Sequence, residues 1–295
     1  MLDRSAAPPP NRVKTCAIDY LLAAQASDGS WSDFNLPVGA SNGWITALCG
    51  YHLAQYGGAA AQPAVIRAAG YLCANGPNWG YNATTPADAD STAWAVLLLA
   101  RLGRTDAIDP AFLGAHQQVD GGVATYLADD GWGHAHGCVT ALAALAFDAL
   151  GDAAAAGNAR NWLRQSGADA RAGYWWASPF YPAWAVAQAC TGHGALPPLP
   201  VLDTARSVLD LACALRIAAL AHCPAPDLLH RLCSLQMPDG SFPPSYALRV
   251  TYHWLDSPAN ATDAGRVYAD ENRILGTCFC LAAIADQSAL CAAAP

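Results

Sequence analysis

The stretch PADADSTAWAVLLLARLG, residues 86–103, places two aspartates, a serine and a threonine directly before an apolar run. From Ala93 to Gly103 the only charged residue is Arg101, so a helix built from this stretch is apolar on every face. Such a helix has to be buried on all sides. The stretch therefore predicts an inner helix. Its acids predict either a helix cap or a group that faces a buried cavity.

Similar apolar segments recur along the chain, each after a loop rich in glycine and aromatic residues. They begin at Asn42, Asp88, His136, Ser178, Asp203 and Gly276. More amphipathic segments precede most of them, at residues 12–26, 62–74, 152–165 and 225–236. Repeats of roughly 40 to 50 residues are typical of stacked helix pairs. The pattern predicts an all-α fold, an (α/α)6 double-layered barrel with six parallel inner helices whose N-terminal ends meet at one mouth. An open solenoid is the alternative.

The composition agrees with extensive burial. Of the 295 residues, 54% are hydrophobic and only 13% are charged, which is about half the usual charged fraction. The net charge is −8 and no basic run occurs, so nucleic acid and anionic membrane are not expected partners. The eleven cysteines lie mostly in Ala/Leu-rich stretches and are expected to be core residues rather than disulfides.

The ends of the chain and its longest apolar runs bear on domains and localisation. Residues 1–11 carry no apolar core of signal-peptide length and are expected to be a disordered arm. No stretch of about 20 residues is apolar and free of charge, so no transmembrane helix is predicted. We therefore expect a single barrel domain over residues 12–295 and a cytoplasmic protein.

Three sets of motifs resemble those of known families. QASDGSW (25–31) and QMPDGSF (236–242) resemble the Gln–Trp repeat motifs of triterpene cyclases. GTCFCLAAI (276–284) is similar to the last inner helix of protein prenyltransferase β subunits. DADSTA (88–93) is similar to the acid motifs D-x-D-D-T-A and V-x-D-C-T-A of squalene and oxidosqualene cyclases. The resemblance implies the α/α-toroid superfamily of terpene cyclases and protein prenyltransferases, in a single-barrel form.

The resemblance implies roles for residues of the acid motif. Asp90 matches the proton-donating aspartate of both cyclase patterns, and Asp88 matches the first acid of the bacterial form. Ser91 stands where that form has a second aspartate. Gly276 stands where prenyltransferases carry a zinc-ligand histidine, so their zinc site is not expected. No metal and no cofactor are predicted.

Protonation of an alkene or an epoxide needs a dry and well-aimed carboxylic acid, because both groups are weak bases. Asp90 is the expected acid, with Asp88 and Ser91 as groups that adjust its acidity. The cations that follow need aromatic faces. Aromatic residues near inner-helix starts are therefore predicted to line the cavity: Trp44, Trp94, Trp132, Trp175, Trp176, Tyr181 and Trp184.

Two further clusters fall at the predicted mouth. In GHAHGC (133–138), His134 and His136 are candidates for holding or returning a proton, and together with Cys138 they are alternative zinc ligands. The long segment 243–274 is a candidate lid or binding loop. Its residues Tyr252, Tyr268 and Arg273 are candidate substrate-binding groups, with Arg249 as the alternative arginine. Asp270 or Glu271 is a candidate cap of the sixth inner helix.

These patterns predict an enzyme that resembles class II terpene cyclases and protonates a small isoprenoid or similar unsaturated substrate at Asp90. A metal-dependent enzyme of natural-product biosynthesis that uses His134, His136 and Cys138 is the first alternative. The second is a non-catalytic binding barrel that completes a partner's cavity. A homodimer or a partner domain is compatible with each of them.

Overall fold

The computed structural model describes residues 8–167, 169–194, 200–258 and 261–293. These residues form eleven α-helices and four short strands. The helices are α1 (Pro10–Ala23), α2 (Gly43–Tyr56), α3 (Gly58–Asn75), α4 (Ala89–Arg101), α5 (Pro110–His116), α6 (Gly137–Leu150), α7 (Ala153–Ser166), α8 (Phe180–Cys190), α9 (Val208–Leu220), α10 (Pro226–Cys233) and α11 (Ile274–Ala293).

Six helices form a closed inner ring. Helix α2 packs on α4, α4 on α6, α6 on α8, α8 on α9 and α9 on α11, and α11 packs back on α2. The contact between the first and last members excludes an open solenoid. The expected all-α double-layered barrel is confirmed.

The inner helices are buried because almost every position along them is apolar or small. In α9, every residue from Val208 to Ala218 is buried. In α4, the run from Ser91 to Leu99 is buried as well. Alanine, glycine and cysteine at many of these positions let neighbouring helices approach closely, which gives the dense packing of a protein core. The stretch 86–103 therefore does form an inner helix.

Helices α1, α3, α5, α7 and α10 pack against the outside of the ring. Four of them match the predicted amphipathic segments, while α5 was not predicted. The predicted start of the fifth inner helix at Asp203 is wrong, because Asp203 lies in a 3-10 turn and α9 begins at Val208, capped by Ser207. Residues 1–7 of the expected N-terminal arm lie outside the described residues, and α1 begins at Pro10.

One loop geometry joins the repeats to each other. The amide nitrogens of Gln25, Gln117 and Gln236 each donate to the carbonyl of the glycine four residues later, at 2.9 to 3.2 Å. Each also donates to a carbonyl of an outer helix, at 2.8 or 2.9 Å. The three glycines have φ values between 89° and 96°, a backbone conformation that glycine adopts readily. The glutamines therefore fasten the loops to the outer layer.

A second repeated contact fastens the same loops to the inner layer. Thr46, Thr92, Thr140 and Thr277, in the first or second turn of α2, α4, α6 and α11, each accept a backbone N–H from the preceding loop at 2.8 to 3.2 Å. All four threonines are fully buried. The threonine of the DADSTA motif therefore has this structural contact in common with three other repeats.

The strands form two antiparallel hairpins, β1 (Asp33–Leu36) with β2 (Gly39–Ser41) and β3 (Tyr246–Val250) with β4 (Arg266–Ala269). The alternating stretch RVTYHWL (249–255) is only in part a strand, since β3 ends at Val250. Both hairpins lie at the N-terminal ends of the inner helices, where they cover the mouth of the barrel.

Two buried carboxylates cap α11 and tie both hairpins to it. Oδ2 of Asp33, on β1, accepts the N–H groups of Ile274 and Leu275 at 2.8 and 3.1 Å. Oδ2 of Asp270, directly after β4, accepts the N–H of Gly276 at 2.8 Å, so the expectation that Asp270 caps this helix is confirmed. Burial and the Asp33 charge raise the pKa of Asp270 to about 8. A Cβ at Gly276 would lie 2.7 Å from Asp270 Oδ2, which explains glycine at this position.

Burial in the ring accounts for the many free cysteines and for one long apolar helix. All eleven cysteines are free thiols, and seven of them are buried. Within the described ranges, Ile274–Cys291 is long and apolar enough to cross a membrane by length and composition. Two thirds of that window is buried, because α11 is an inner helix of the ring.

Candidate active site

A cavity of about 770 Å³ opens at the mouth of the barrel, a volume in the usual range for small-molecule sites. Residues at the starts of α2, α4 and α6 contribute to its wall, together with both hairpins and the loops between them. Val38 and Leu127 line it and are 53% and 70% exposed, so they mark its opening. The other lining residues are Leu36, Pro37, Trp44, Tyr81, Thr85, Pro86, Ala87, Asp88, Asp90, Ser91, Phe112, His116, Thr125, Tyr126, Trp132, Cys138, Trp175, Trp176, Leu248, Val250 and Tyr268.

Asp88 is the N-cap of α4. Its Oδ1 accepts the backbone N–H of Ser91 at 2.7 Å, and its Oδ2 accepts the Ser91 hydroxyl at 2.8 Å. Burial raises the pKa of Asp88 to about 6, against the opposing effect of the hydrogen bonds from Ser91. Both oxygens of this carboxylate are therefore committed to the helix start.

Asp90 has a different environment one residue further on. It lines the cavity, and its Oδ1 is buried without a hydrogen-bond partner among the described residues. The side chain as a whole is only partly buried, because it faces the cavity. Burial, and then the charge of Asp88, raise the pKa of Asp90 to about 8. Asp90 therefore keeps its proton at neutral pH and presents a carboxylic acid to the cavity.

The predicted aromatic residues form two layers. Trp44, Trp132, Trp175 and Trp176 line the cavity. Trp94, Tyr181 and Trp184 do not line it and pack in the core, where Tyr181 stacks on Trp176 with ring centroids 3.6 Å apart and Trp184 stacks on Trp94 at 6.4 Å. The second layer therefore supports the first and has no direct access to the cavity.

Hydrogen bonds fix the aromatic walls. Trp175 Nε1 donates to the Thr125 hydroxyl and Trp132 Nε1 donates to the Thr251 carbonyl, both at 2.8 Å. Tyr126 also lines the cavity. Burial and the charges of Asp88 and Asp90 raise the pKa of its hydroxyl above the ordinary range. Tyr126 is therefore a neutral phenol that lies near the acids.

The histidine–cysteine loop does not bring its three residues together. His134 is exposed and lies 3.4 Å from Asp256. His136 is buried and lies 3.1 Å from both the Thr125 hydroxyl and the Gly131 carbonyl. Burial lowers the pKa of His136 to about 3, so its ring is neutral. The ring contacts the hydroxyl of Thr125, which is a residue of the cavity wall. Neither histidine lines the cavity.

Cys138, by contrast, does line the cavity. Burial and the charge of Asp90 raise the pKa of its thiol, which opposes formation of a metal-binding thiolate. Within the part of the chain that the structure describes, no group of three His, Cys, Asp or Glu side chains has a metal-binding arrangement. The geometry therefore does not favour the metal-dependent alternative.

Of the candidate residues in 243–274, only Tyr268 lines the cavity. The Tyr252 hydroxyl donates to Asp263 at 3.1 Å, and its ring stacks on Trp254. Arg273 contacts Asp239 at 2.9 Å and lies outside the cavity. Tyr252 and Arg273 therefore contact other loop residues and do not reach the cavity. No cavity contact supports the prediction that they bind the substrate.

Sequence reasoning missed the contribution of α5, which brings Phe112 and His116 to the cavity wall. The helix has seven residues, too few for a hydrophobic period to show. Its only signal is Asp109 before Pro110, a pairing typical of a helix start. Asp109 does accept the N–H of Ala111 at 3.0 Å.

Comparisons with known proteins place the fold. No family model and no curated protein matches the chain. Among solved structures, the apo form of the type II terpene cyclase MstE from Scytonema has a TM-score of 0.81 at 24% identity, over 95% of this chain and 99% of that one. A protein from Actinoplanes has a TM-score of 0.78 at 26% identity, over 95% and 100% of the two chains.

A more distant similarity is to ent-copalyl diphosphate synthase from Streptomyces platensis, with a TM-score of 0.57 at 17% identity, over 83% of this chain and 50% of that one. Variants of MstE have been solved with its substrate geranylgeranyl dihydroxybenzoate and with its product merosterolic acid A. The chain has the fold of the type II terpene cyclases, which confirms its resemblance to the terpene cyclase superfamily at the level of fold.

Proposed function

We propose that the protein is a class II terpene cyclase that protonates a polyprenyl substrate at Asp90. The observation that carries the proposal is the buried, unpartnered Oδ1 of a carboxylic acid that faces an aromatic cavity. An acid that keeps its proton at neutral pH and makes no competing hydrogen bond can transfer that proton to an alkene carbon or an epoxide oxygen. The resemblance of DADSTA to cyclase acid motifs supports the same role.

The remaining lining residues suit the steps after protonation. Transfer of the proton leaves Asp90 as a carboxylate and places a positive charge on the substrate, whose own double bonds then attack it to form rings. The faces of Trp44, Trp175 and Trp176 stabilise such cations by cation–π attraction. The product cation then either loses a proton directly or is attacked by a hydroxyl oxygen, whose proton leaves once the C–O bond has formed. One proton is released in either case, which balances the proton that Asp90 gave up.

The cavity size and the fold comparison support a prenylated substrate. MstE acts on geranylgeranyl dihydroxybenzoate, and the cavity of about 770 Å³ has room for a chain of comparable class. Trp44, Trp176 and Leu248 provide apolar walls for such a chain. The proposed substrate is therefore a polyprenyl chain of up to about twenty carbons that carries a polar head.

Turnover of a panel of polyprenyl alcohols, prenylated phenols, polyprenyl diphosphates and terminal epoxides tests the proposal. We expect Asp90→Asn to retain the fold and to lose at least about a hundredfold in cyclisation rate. Asp152→Asn makes the same chemical change at the N-cap of α7, an outer helix, and should keep full turnover. Full turnover by Asp90→Asn would refute the proposal. Binding without any turnover by the wild type would favour a non-catalytic binding barrel.

A further inference from the structure

One polar residue of the cavity wall has no part in the acid step. His116, the last residue of α5, lines the cavity and is only 3% exposed. A buried histidine needs partners for its ring nitrogens. The partners that it has, and the one that it lacks, determine what it can recognise.

The ring of His116 is held in one orientation by Ala124. The Ala124 N–H donates to the His116 carbonyl at 3.1 Å, and His116 Nδ1 lies 3.2 Å from the Ala124 carbonyl oxygen. A carbonyl oxygen can only accept, so Nδ1 carries the hydrogen. The Phe112 ring, one turn earlier on α5, packs against the imidazole with centroids 4.6 Å apart. Rotation of the ring would break these contacts.

The other ring nitrogen, Nε2, therefore carries the lone pair. Burial lowers the pKa of His116, which keeps the imidazole neutral at neutral pH. Among the described residues, Nε2 has no hydrogen-bond partner, and the residue faces the cavity. His116 thus offers the cavity a fixed and unoccupied hydrogen-bond acceptor.

Many of the other polar groups of the wall are already engaged by the protein. The Ser91 hydroxyl donates to Asp88, the Trp175 indole donates to Thr125, and the Trp132 indole donates to Thr251. The described lining residues include no lysine or arginine. The wall therefore suits a neutral head that donates a hydrogen bond better than an anionic head.

We propose that His116 Nε2 accepts a hydrogen bond from a hydroxyl group on the head of the substrate. This makes His116 a specificity-determining residue, which favours a polyprenyl chain with a phenol or alcohol head over the same chain without a hydroxyl group. The inference rests on the proposed function for the class of ligand. It is tested by binding, which does not require the acid step.

The test measures dissociation constants in the Asp90→Asn background, where turnover is blocked. The two ligands are 2-geranylgeranylphenol and geranylgeranylbenzene, which differ only in the hydroxyl group, and quenching of the tryptophans in the cavity wall reports binding. We expect Asp90→Asn to prefer the phenol by about three- to tenfold, the usual effect of one neutral hydrogen bond. Adding His116→Phe should bring the two dissociation constants within about twofold. Adding His116→Gln, whose amide oxygen is an acceptor, should restore part of the preference.

Leu248→Ala is the control, because it trims the apolar wall of the same cavity from β3 and leaves the Ala124 and Phe112 contacts of His116 in place. It should weaken both ligands alike and keep the preference. A second measurement does not depend on a stable substitution at His116. In protein labelled with ¹⁵N-histidine, the Nε2 resonance of His116 should move when the phenol binds and stay in place when the benzene binds.

The proposal is overturned if the phenol preference is absent, if it survives in His116→Phe, or if neither ligand binds. These results are independent of the acid step, which is judged by the turnover of Asp90→Asn against wild type. A protein that cyclises both ligands at equal affinity would keep the proposed function and lose the role of His116. Discrimination without cyclisation would support the role of His116 and count against the proposed function.

Discussion

Asp88 and Asp90 are separated by one residue at the start of α4, yet only the side chain of Asp88 accepts hydrogen bonds from the helix. Asp88 uses both oxygens to accept hydrogen bonds from Ser91, whereas Oδ1 of Asp90 is buried without a partner among the described residues. Their pKa values are raised to different extents, to about 6 and about 8. Between pH 6 and pH 8, Asp88 is therefore ionised while Asp90 keeps its proton. Asp88 caps the helix, and the carboxylic acid of Asp90 is free to donate its proton.

The first prediction concerns stability, on which the two acids have opposite effects. Asp88→Ala removes the cap of a buried helix and should cost about 1 kcal/mol, or roughly 2–4 °C in melting temperature, relative to Asp88→Asn, which also lacks the charge but keeps a capping oxygen. Asp90→Asn should not lower stability. The ordinary pKa of an aspartate, 3.8, is raised in the folded state, so wild-type stability is lost as the pH rises from about 4 to about 8. Asparagine removes this loss, and Asp90→Asn should melt above wild type at pH 8.

Thermal melts of wild type and the three variants at pH 5 and pH 8 check this prediction. The gain of Asp90→Asn over wild type should be larger at pH 8 than at pH 5. A loss of several degrees in Asp90→Asn at both pH values would instead make Asp90 a structural cap. The idea that its carboxyl group is reserved for chemistry would then fail.

The second prediction concerns the pH dependence of turnover. Because Asp90 must hold its proton to act as an acid, kcat/KM should fall as the pH rises above about 8. The negative charge of Asp88 helps to raise the pKa of Asp90. Asp88→Asn should therefore move this alkaline limb to lower pH. Asp152→Asn, at the distant cap of α7, should leave the limb where it is, and an unmoved limb in Asp88→Asn would contradict the coupling.

The repeat pattern was sufficient to predict the barrel, because burial of six all-apolar helices leaves few other arrangements. The same pattern could not separate the two layers of aromatic residues. Trp176 and Trp94 both occur near inner-helix starts, but only Trp176 reaches the cavity. Trp176 lies before α8, in an isolated bridge with Leu248, whereas Trp94 lies within α4. Because α4 is apolar on every face, its sequence gives no hydrophobic period from which the direction of Trp94 could be predicted. His116 was missed for a related reason, since a seven-residue helix is shorter than two hydrophobic periods.

The third prediction separates these two aromatic layers. Trp176→Leu removes a π face from the cavity wall and should lower cyclisation by about tenfold, within the usual range of cation–π energies. Trp176→Phe keeps a π face and should lose less. Trp94→Leu leaves a gap in the core and should cost at least about 1 kcal/mol of stability. Product analysis and urea unfolding of the three variants provide the check. Equal turnover in Trp176→Leu and Trp176→Phe would argue against an electronic role.

The fourth prediction tests the junction of α11 with the hairpins. A Cβ at Gly276 would lie 2.7 Å from Asp270 Oδ2, so Gly276→Ala displaces a buried cap and should destabilise the fold by about 1–3 kcal/mol. Gly70 provides the matched control, because it lies within α3 and a Cβ there meets nothing within 4 Å. Gly70→Ala should stabilise the protein by about 0.5–1 kcal/mol. Chemical denaturation of the two variants compares them, and effects of the same sign would contradict the packing argument.

The fifth prediction concerns a buried ionic contact between α9 and α11. The Arg216 guanidinium is 4% exposed, lies 3.3 Å from Asp286 and 3.3 Å from His52 Nε2, and stacks over Trp184 at 4.3 Å. Burial lowers the pKa of His52 to about 3, so the ring stays neutral and accepts from the arginine. Asp286 is therefore the anion that balances this buried charge.

Removing Asp286 alone should cost more stability than removing both charges. Asp286→Ala leaves the guanidinium buried without its counter-charge and should cost about 3 kcal/mol, toward the lower end for such pairs because Asp286 is 27% exposed. Adding Arg216→Met replaces the cation with an apolar side chain of similar length and should recover much of that loss. Urea unfolding of both single variants and the double variant gives the coupling energy. If the double variant were as unstable as the sum of the single variants, the two side chains would not be coupled, and Arg216 would be held by its aromatic contacts alone.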